Sequence, residues 1–473
     1  MAVGMDVRTV AVVGRTGAGK SALVAALTGS RPADDGPTTH LQLAEVEHRG
    51  VRLALLDTPG HPELAGALVA GLRAADAVLF VVPAVGGLDP VTAQVWDRCE
   101  GRPRAIAITQ LDRPGADSDE AIALCQRLLD EAVLPLQLPM HADDGEVAGL
   151  LSLLDLTVVE ATGSRPADPE HRTLVAGLRD DLLETVLAEA DDETLLDRYL
   201  DGALVGDEPA VLAALHTAVR RGDFSPAVVV SARSGVGIAQ LLDLLVEAFP
   251  PPQNAPCPDV ARVDGSPAEP LACDPDGPVA AEVVAPGVVR VWSGTLDGVT
   301  AGRTARLATT APVGSTLSAD GLVLSPWDLP EPALPVAVEG EVACDDPTVQ
   351  TSDETGQQLM WFLGEHHAAV VLGELAARVP LRAPTRGADE QPWVAVAVTT
   401  PTVFARSIAS DLTRRGARAE RPEPDPEDDE VSRVRAELPW SALEAWVPAL
   451  ATTSYGTARI VRGALRWEPV SRP

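Results

Sequence analysis

Lysine is all but missing from this chain. Of its 37 basic residues, 36 are arginine, and the single lysine is Lys20. Asparagine also occurs once, at Asn254. A composition rich in arginine, alanine and proline has replaced lysine wherever arginine serves. At position 20 a compact ammonium on a thin stem was kept. Cysteine is sparse: Cys99, Cys125, Cys257, Cys273 and Cys344 are scattered, with no Cys-x-x-Cys pair. That excludes a disulfide frame or zinc ribbon and reads as reduced thiols in a cytoplasmic protein. No run of 18 apolar, uncharged residues occurs, so no membrane-spanning helix is expected. The stretch from Met1 to Arg8 has no basic region followed by an apolar segment, so no signal peptide is expected. Net positive charge is absent too. A balance of −32 argues against tight non-specific binding to DNA or to anionic lipid. What is present is 46% hydrophobic residue over 473 positions, enough for real cores and, by length, about three domains.

The surroundings of Lys20 carry chemistry. Thr9-Val-Ala-Val-Val-Gly14 is short, β-branched and continuous, the pattern of a buried strand. Gly14-Arg-Thr-Gly17-Ala18-Gly19-Lys20-Ser21 follows, then an apolar helical run to Leu27. Gly-x-x-x-x-Gly-Lys-Ser between a strand and a helix is the pattern of a phosphate-binding loop. Glycines let backbone N–H groups curl around a phosphate, and the helix N-terminus adds partial positive charge. Lys20 would reach the β- and γ-phosphates, and Ser21 would hold Mg²⁺.

Three further motifs follow at strand ends. Leu53-Ala-Leu-Leu-Asp57-Thr-Pro-Gly60-His61 offers Asp57 to Mg²⁺ and Gly60 to a γ-phosphate. Between it and the loop lies Asp34-Asp-Gly-Pro-Thr38-Thr39-His40, where a threonine, Thr39 in preference to Thr38, would close over the metal. A plain loop explains that stretch equally well. Ala105-Ile-Ala-Ile-Thr109-Gln110-Leu111-Asp112 places a carboxylate where it can accept two hydrogen bonds from N1 and N2 of guanine, which adenine cannot offer. Ala227-Val-Val-Val-Ser231-Ala232-Arg233 places a backbone N–H where guanine O6 would lie. Each is weak alone. Four in this order, each after a strand, form a specific set.

Together these motifs resemble the translational GTPases, whose second motif takes the form Asp57-Thr-Pro-Gly-His61 here. The match narrows further along the chain. Pro135-Leu-Gln-Leu-Pro139, the run Leu187–Leu200 and Phe224-Ser-Pro226 resemble the extra subdomain of elongation factor G. Arg290-Val-Trp-Ser-Gly-Thr-Leu296 resembles a signature of its β-barrel. Asp345-Asp-Pro347-Thr348 with Leu363-Gly-Glu365-His-His367 resembles its third domain, and Leu438-Pro439, Ser454-Tyr-Gly456 and Trp467–Val470 its last. The resemblance implies GTP/GDP and Mg²⁺ as cofactors, nucleotide contacts from Gly14, Gly17, Ala18, Gly19, Lys20, Ser21, Gly60, Thr109, Gln110, Asp112, Ser231, Ala232 and Arg233, and metal contacts from Ser21, Thr39 and Asp57. It also implies His61, with Lys20, as catalytic, the imidazole orienting the attacking water. The departures are informative. The first switch is very short, Gly17 stands where many members carry an acid, and Gln110 replaces a lysine whose stem covers the base. That last exchange alone would weaken binding by roughly ten- to hundredfold. The fourth domain, the tip, is absent. Only residues 382–392 join third-domain-like to last-domain-like sequence, a span of at most about 40 Å.

The expected fold is multidomain α/β and α+β. A phosphate-loop GTPase domain, a doubly wound parallel sheet, occupies 8–250, with an inserted helical subdomain at about 132–222. A proline-rich linker covers 251–278: Pro250 to Pro278 contains nine prolines. A reduced β-barrel-like domain spans 279–328, and two ferredoxin-like α+β modules span 329–380 and 393–473. His366 and His367 are adjacent and point apart, with no third ligand spaced with them, so a metal reading fails. Arg406, Arg414, Arg415 and Arg418 give the last module a basic edge, read equally as a solvated helix face or a contact to ribosomal RNA. The expected protein is a cytoplasmic, monomeric GTPase that binds GTP and is stimulated by the large ribosomal subunit. It touches neither membrane nor DNA and does not perform normal translocation. A rival reading, favoured by Gln110 and the short switch, is a non-hydrolysing regulatory module driven by nucleotide.

Overall fold

A computed structural model describes residues 6–31, 38–142, 147–160, 163–190, 192, 194–201, 208–338, 344, 346–354, 357–374, 390–425, 431–454 and 458–469. The chain divides into two compact units. One takes residues 1–60, 70–311 and 315–326; the other takes 61–69, 312–314 and 327–473.

The first unit is built on a seven-stranded sheet. In chain order come β1 (Asp6–Val13), α1 (Lys20–Thr28), β2 (Gln42–His48), β3 (Val51–Asp57), α2 (Ala65–Ala74), β4 (Ala77–Pro83), α3 (Pro90–Asp97), β5 (Arg104–Thr109), α4 (Ser118–Leu128) and β6 (Val133–Pro135). An insert holds β7 (Gln137–His141), β8 (Val147–Ser152), β9 (Thr157–Glu160), β10 (Gly163–Pro166), α5 (Pro169–Ala188), α6 (Thr194–Leu200) and α7 (Glu208–Arg221). The sheet then resumes with β11 (Ser225–Val229) and α8 (Ile238–Glu247). The strand order is β2-β3-β1-β4-β5-β11-β6. The inner strands β1, β3, β4, β5 and β11 run parallel and are apolar almost throughout, because helices cover both faces. Val10, Val12, Leu53, Leu55, Leu79, Val81, Ala107 and Val228 share one core with Leu23, Leu241 and Leu245 of the helices. The edge strand β2 is antiparallel to its neighbour. It returns through Arg49-Gly50, both at positive φ (49° and 77°), the two-residue turn that matches strand twist.

The insert, expected as helical from His171 to Arg221, carries its three helices and also an antiparallel meander, β10-β9-β8-β7. These strands are four to six residues long, too short for a period-two pattern to declare itself. The proline-rich stretch is likewise not all linker: Val260–Arg262 pairs with Leu322–Leu324, using the proline-free residues between Pro258 and Pro267.

The β-barrel-like part forms an antiparallel sheet of Thr304–Arg306, Val288–Ser293, Ala280–Ala285 and Thr316–Ser318, in that order. A buried polar knot ties it to the main sheet. Arg290 donates to Thr9 Oγ1 at 2.6 Å and to the Gly302 carbonyl at 2.9 Å, and it ion-pairs with Asp76 at 2.5 Å. Asp76 in turn accepts the Thr9 N–H at 2.9 Å. Arg73 pairs with the buried Glu282 at 3.2 Å and donates to the Ser325 carbonyl at 2.8 Å.

Among its described residues the second unit contains two sheets, the whole helices α9 (Glu365–Glu374), α10 (Thr402–Arg414) and α11 (Trp440–Thr453), the 3₁₀ turn Pro62–Leu64, and residues 65–69 of α2. The first sheet is Leu334–Val338, Gln357–Phe362, Gln350–Glu354 in spatial order, with α9 following. Its described residues thus run strand, strand, strand, helix rather than strand, helix, strand. The second sheet centres on Glu390–Pro401, paired with Val431–Pro439 on one side and Arg459–Pro469 on the other. Its long elements run strand, helix, strand, helix, strand, and the short strands Arg418–Ala419 and Glu423–Pro424 pair with Val431–Pro439. Leu359, Trp361, Phe362, Val394, Val398, Ile408, Leu412, Leu438 and Trp446 share a core. Of the expected joint at 382–392, residues 382–389 lie outside the described residues, and 390–392 begin the central strand.

Candidate nucleotide-binding site

The motifs converge at the carboxyl ends of the parallel strands, where β3, β1 and β4 lie side by side and the chain reverses its direction of travel across the sheet. That crevice is where open α/β sheets bind ligands. The phosphate loop leaves β1 and enters α1. Gly14, Gly17 and Gly19 all have positive φ (147°, 78° and 97°). A Cβ at Gly14 would overlap the Val81 carbonyl, so sterics as well as conformation demand glycine there. Lys20 Nζ donates to the Gly14 carbonyl at 2.7 Å and the Arg15 carbonyl at 3.1 Å. It is 5% exposed. Burial lowers its pKa to about 8, although Asp57 and Asp89 oppose the shift.

The register Val12↔Asp57 brings the end of β3 beside the loop, and Thr58 Oγ1 donates to the Val12 carbonyl at 2.8 Å. Asp57 is 2% exposed. Burial raises its pKa, while a hydrogen bond from Ser21 and the Lys20 charge oppose that. Its Oδ1 is buried without a hydrogen-bond partner. An anionic oxygen in that position is what a divalent cation relieves, and hydroxyl with carboxylate oxygen is a donor set that suits Mg²⁺. Thr38, next to the expected Thr39, has its Oγ1 2.7 Å from Ser21 Oγ. Gly60 packs against the phosphate loop so closely that a Cβ would lie 2.6 Å from Lys20 Nζ and overlap the Thr16 backbone nitrogen.

The loops expected to read the base follow β5 and β11, which are neighbours in the sheet. Thr109 Oγ1 donates to the Ala18 carbonyl at 2.7 Å, and Gln110 Nε2 donates to the Gly17 carbonyl at 2.5 Å. Gln110 has φ of 61°, which turns its amide back onto the loop. Both side chains therefore brace the phosphate loop. Asp112 pairs with Arg233 at 3.3 Å, so the arginine lies beside the carboxylate expected to face guanine. Ser231 is buried; its N–H donates to the Val236 carbonyl at 2.8 Å, and its Oγ accepts the Ser234 N–H at 3.3 Å. This shapes the turn that carries Ala232 and Arg233.

His61 belongs to the second unit. Its Nδ1 accepts the Glu63 N–H at 3.2 Å and caps the short 3₁₀ turn Pro62–Leu64. Sequence reasoning missed Arg15, which donates to the Val85 carbonyl at 3.1 Å, and Asp89, whose charge acts on Lys20. No local signal marks either residue. Among the described residues no cluster of three metal-ligating side chains occurs, and no helix is long and apolar enough to cross a membrane. The five cysteines are free thiols.

Fold and loop geometry thus define a phosphate-loop nucleotide-binding domain with the motif order of a GTPase. Comparison with known proteins agrees. The family model for the elongation factor Tu GTP binding domain matches residues 31–251, which implies guanine-nucleotide binding. Two curated relatives, both described as elongation factor G-like protein, come from two strains of Mycobacterium tuberculosis. Each is 34% identical over 488 aligned residues, covering 80% of this chain and 68% of the relative. A crystal structure from Thermus thermophilus shares the fold with a TM-score of 0.71 at 21% identity, covering 99% of this chain and 98% of its own. The chain belongs to the elongation factor G-like translational GTPases.

Proposed function

We propose that this protein binds GTP with Mg²⁺, hydrolyses it, and acts on the large ribosomal subunit without moving tRNA as the full-length factor does. The observation that carries the reading is the buried, unpartnered Oδ1 of Asp57 beside Ser21, Thr38 and Lys20. It is a site whose charges make sense once a polyphosphate and its cation are present. Ser21, Thr38 and Asp57 would hold Mg²⁺, which neutralises charge developing on the phosphate oxygens. Lys20 and the loop amides would bind the β- and γ-phosphates. Asp112 and the Ala232 N–H would read guanine, with Arg233 moving aside from the carboxylate. His61 would orient a water whose oxygen bonds to the γ-phosphorus as the bond to the bridging oxygen breaks. GDP and inorganic phosphate are the products.

The domain limits 8–250, 279–328, 329–380 and 393–473 belong to this proposal, as does the absence of the tip domain. The alignment with the Mycobacterium tuberculosis relatives runs over 488 positions, more than the 473 residues of the whole chain. The relatives therefore carry residues that this chain skips within the matched stretch. A cytoplasmic monomer belongs to the same proposal and accords with the free thiols. The rival reading, a regulatory module that binds nucleotide without hydrolysis, draws support from Gln110 and the short first switch. Phosphate release from GTP and from ATP, with and without ribosomes, decides between them. GTP-selective release stimulated by ribosomes supports the enzyme; binding without release under either condition supports the rival.

A further inference from the structure

Within the second unit, the segment that begins with His61 is seated on α9. Gly364 stands directly before α9, in the position where a serine, threonine or aspartate ordinarily caps a helix. Having no side chain, it cannot do so. The cap comes instead from 304 residues away in sequence: Glu63 Oε2 accepts the His367 N–H, the third of the helix, at 3.1 Å. A Cβ at Gly364 would overlap the Glu63 carboxylate, so the glycine and the acid are fitted to one another. A Cβ at Gly66 would fall 2.7 Å from the Thr348 methyl group, a second place where only glycine permits the approach.

The receiving surface is rigid. His367 is fully buried. Its Nδ1 accepts the Leu363 N–H at 3.0 Å, which leaves the proton on Nε2 to donate to Asp346 at 3.2 Å. Asp346 Oδ1 also accepts the Thr348 N–H and hydroxyl, at 2.8 and 2.6 Å. Burial opposes charge on Asp346, yet these hydrogen bonds hold its carboxyl below the ordinary value. The same Glu63 whose carboxylate is fixed here donates its backbone N–H to His61 Nδ1 at 3.2 Å. One residue therefore joins a fixed helix end to the imidazole.

We propose that Glu63 is a positioning residue for His61: by capping α9 it fixes the backbone N–H that orients the imidazole and keeps its proton on Nε2. This rests on the reading of His61 as the water-orienting group. The prediction is a loss of orientation, not of nucleotide binding. Glu63→Ala lowers GTP turnover by at least about tenfold while leaving GTP affinity within about twofold. It also lowers the melting temperature, since α9 loses its cap. Glu63→Gln, whose amide oxygen can accept the same N–H, keeps most of the turnover. In the Glu63→Ala background, Gly364→Ser supplies a local cap and restores the melting temperature, but turnover stays low.

A second readout is independent of activity. In protein labelled with ¹⁵N-histidine, with the His61 signals assigned through His61→Gln, wild type shows well-separated Nδ1 and Nε2 shifts. These move toward each other in Glu63→Ala and do not recover in the double variant. Recovery of turnover together with stability in the double variant would make Glu63 a structural cap only and overturn the proposal. Unchanged ring shifts in Glu63→Ala would overturn it too, even if the wild-type protein hydrolyses no GTP at all. That last result by itself would sink the enzyme reading and leave the ring shifts to decide the role of Glu63.

Discussion

Lys20 holds two loop carbonyls with an ammonium that burial makes costly. Its pKa of about 8 lies below the ordinary 10.5. The unfolded chain therefore binds more protons than the native one between these values. The destabilising contribution of Lys20 is present in full below pH 8 and is relieved as pH rises toward 10.5. Bound phosphate reverses the preference by favouring the charged amine. Nucleotide binding above about pH 8 should then take up close to one proton, and affinity should fall by up to about tenfold per pH unit. Calorimetry in buffers of different ionisation enthalpy measures this directly, and affinity constant from about pH 7.5 to about 9.5 would contradict it. Lys20→Ala should abolish binding with the fold intact. Gln110 carries a second test. From sequence it stands where a lysine would cover the base and tie the loop. In the structure its amide already makes a tie, to the Gly17 carbonyl. Gln110→Ala should weaken GDP binding about tenfold, whereas Gln110→Lys should change it by less than that. A fluorescent GDP analogue titrated into both variants checks the order.

The strand Val288–Ser293 illustrates what an element does beyond its own hydrogen bonds. It carries Arg290 into a fully buried position, where Asp76, Thr9 and Gly302 receive the guanidinium. A charge that deep is tolerated only with its partner, and removing one side leaves the other stranded. Arg290→Met should cost about 3–5 kcal/mol in chemical denaturation. Adding Asp76→Leu should recover much of it, because a well-packed apolar pair suits the same space. Additive losses in the double variant would refute the pairing argument. α10 bears on the basic edge. Its buried stripe is Ala405, Ile408 and Leu412. Of the arginines, Arg414 and Arg415 pair with Asp411, while Arg418 pairs with Glu437 at 3.9 Å and lies over Trp393. Charge paired in this way is less free to meet RNA, which favours the solvated-face reading over the contact reading.

Across the molecule, the proposed order of parts is that of an elongation factor G-like protein without its tip. Between the end of α9 at Glu374 and the strand that starts at Glu390 lie 15 residues, too few to build a core of their own. This protein should therefore fail to replace elongation factor G in a reconstituted translocation assay. Normal translocation rates with this protein alone would refute that. It should nonetheless compete for ribosomes if the proposed association is correct, which a pelleting assay with non-hydrolysable GTP tests.

The nucleotide fold, and the strand-end positions proposed for its site, were legible in the order of residues alone. Strand–glycine loop–lysine–helix is a local pattern, and backbone sterics at Gly14 and Gly19 leave few other residues possible. Asp57 and Asp112 were legible for a similar reason: Asp57 ends one continuous apolar strand and Asp112 follows another by three residues, and parallel sheets place strand ends together. What the sequence left open were contacts between residues far apart in the chain. The contact of Thr38 with Ser21 spans 17 positions. Arg290 and Asp76 are 214 positions apart, with nothing local to mark them. The meander of the insert lay hidden because strands of four to six residues carry too few positions to show a period. Glu63 reads as an ordinary exposed acid until α9 is packed against it. Local conformational preference is written residue by residue, whereas a cap or a buried charge pair exists only once packing has excluded water from both partners.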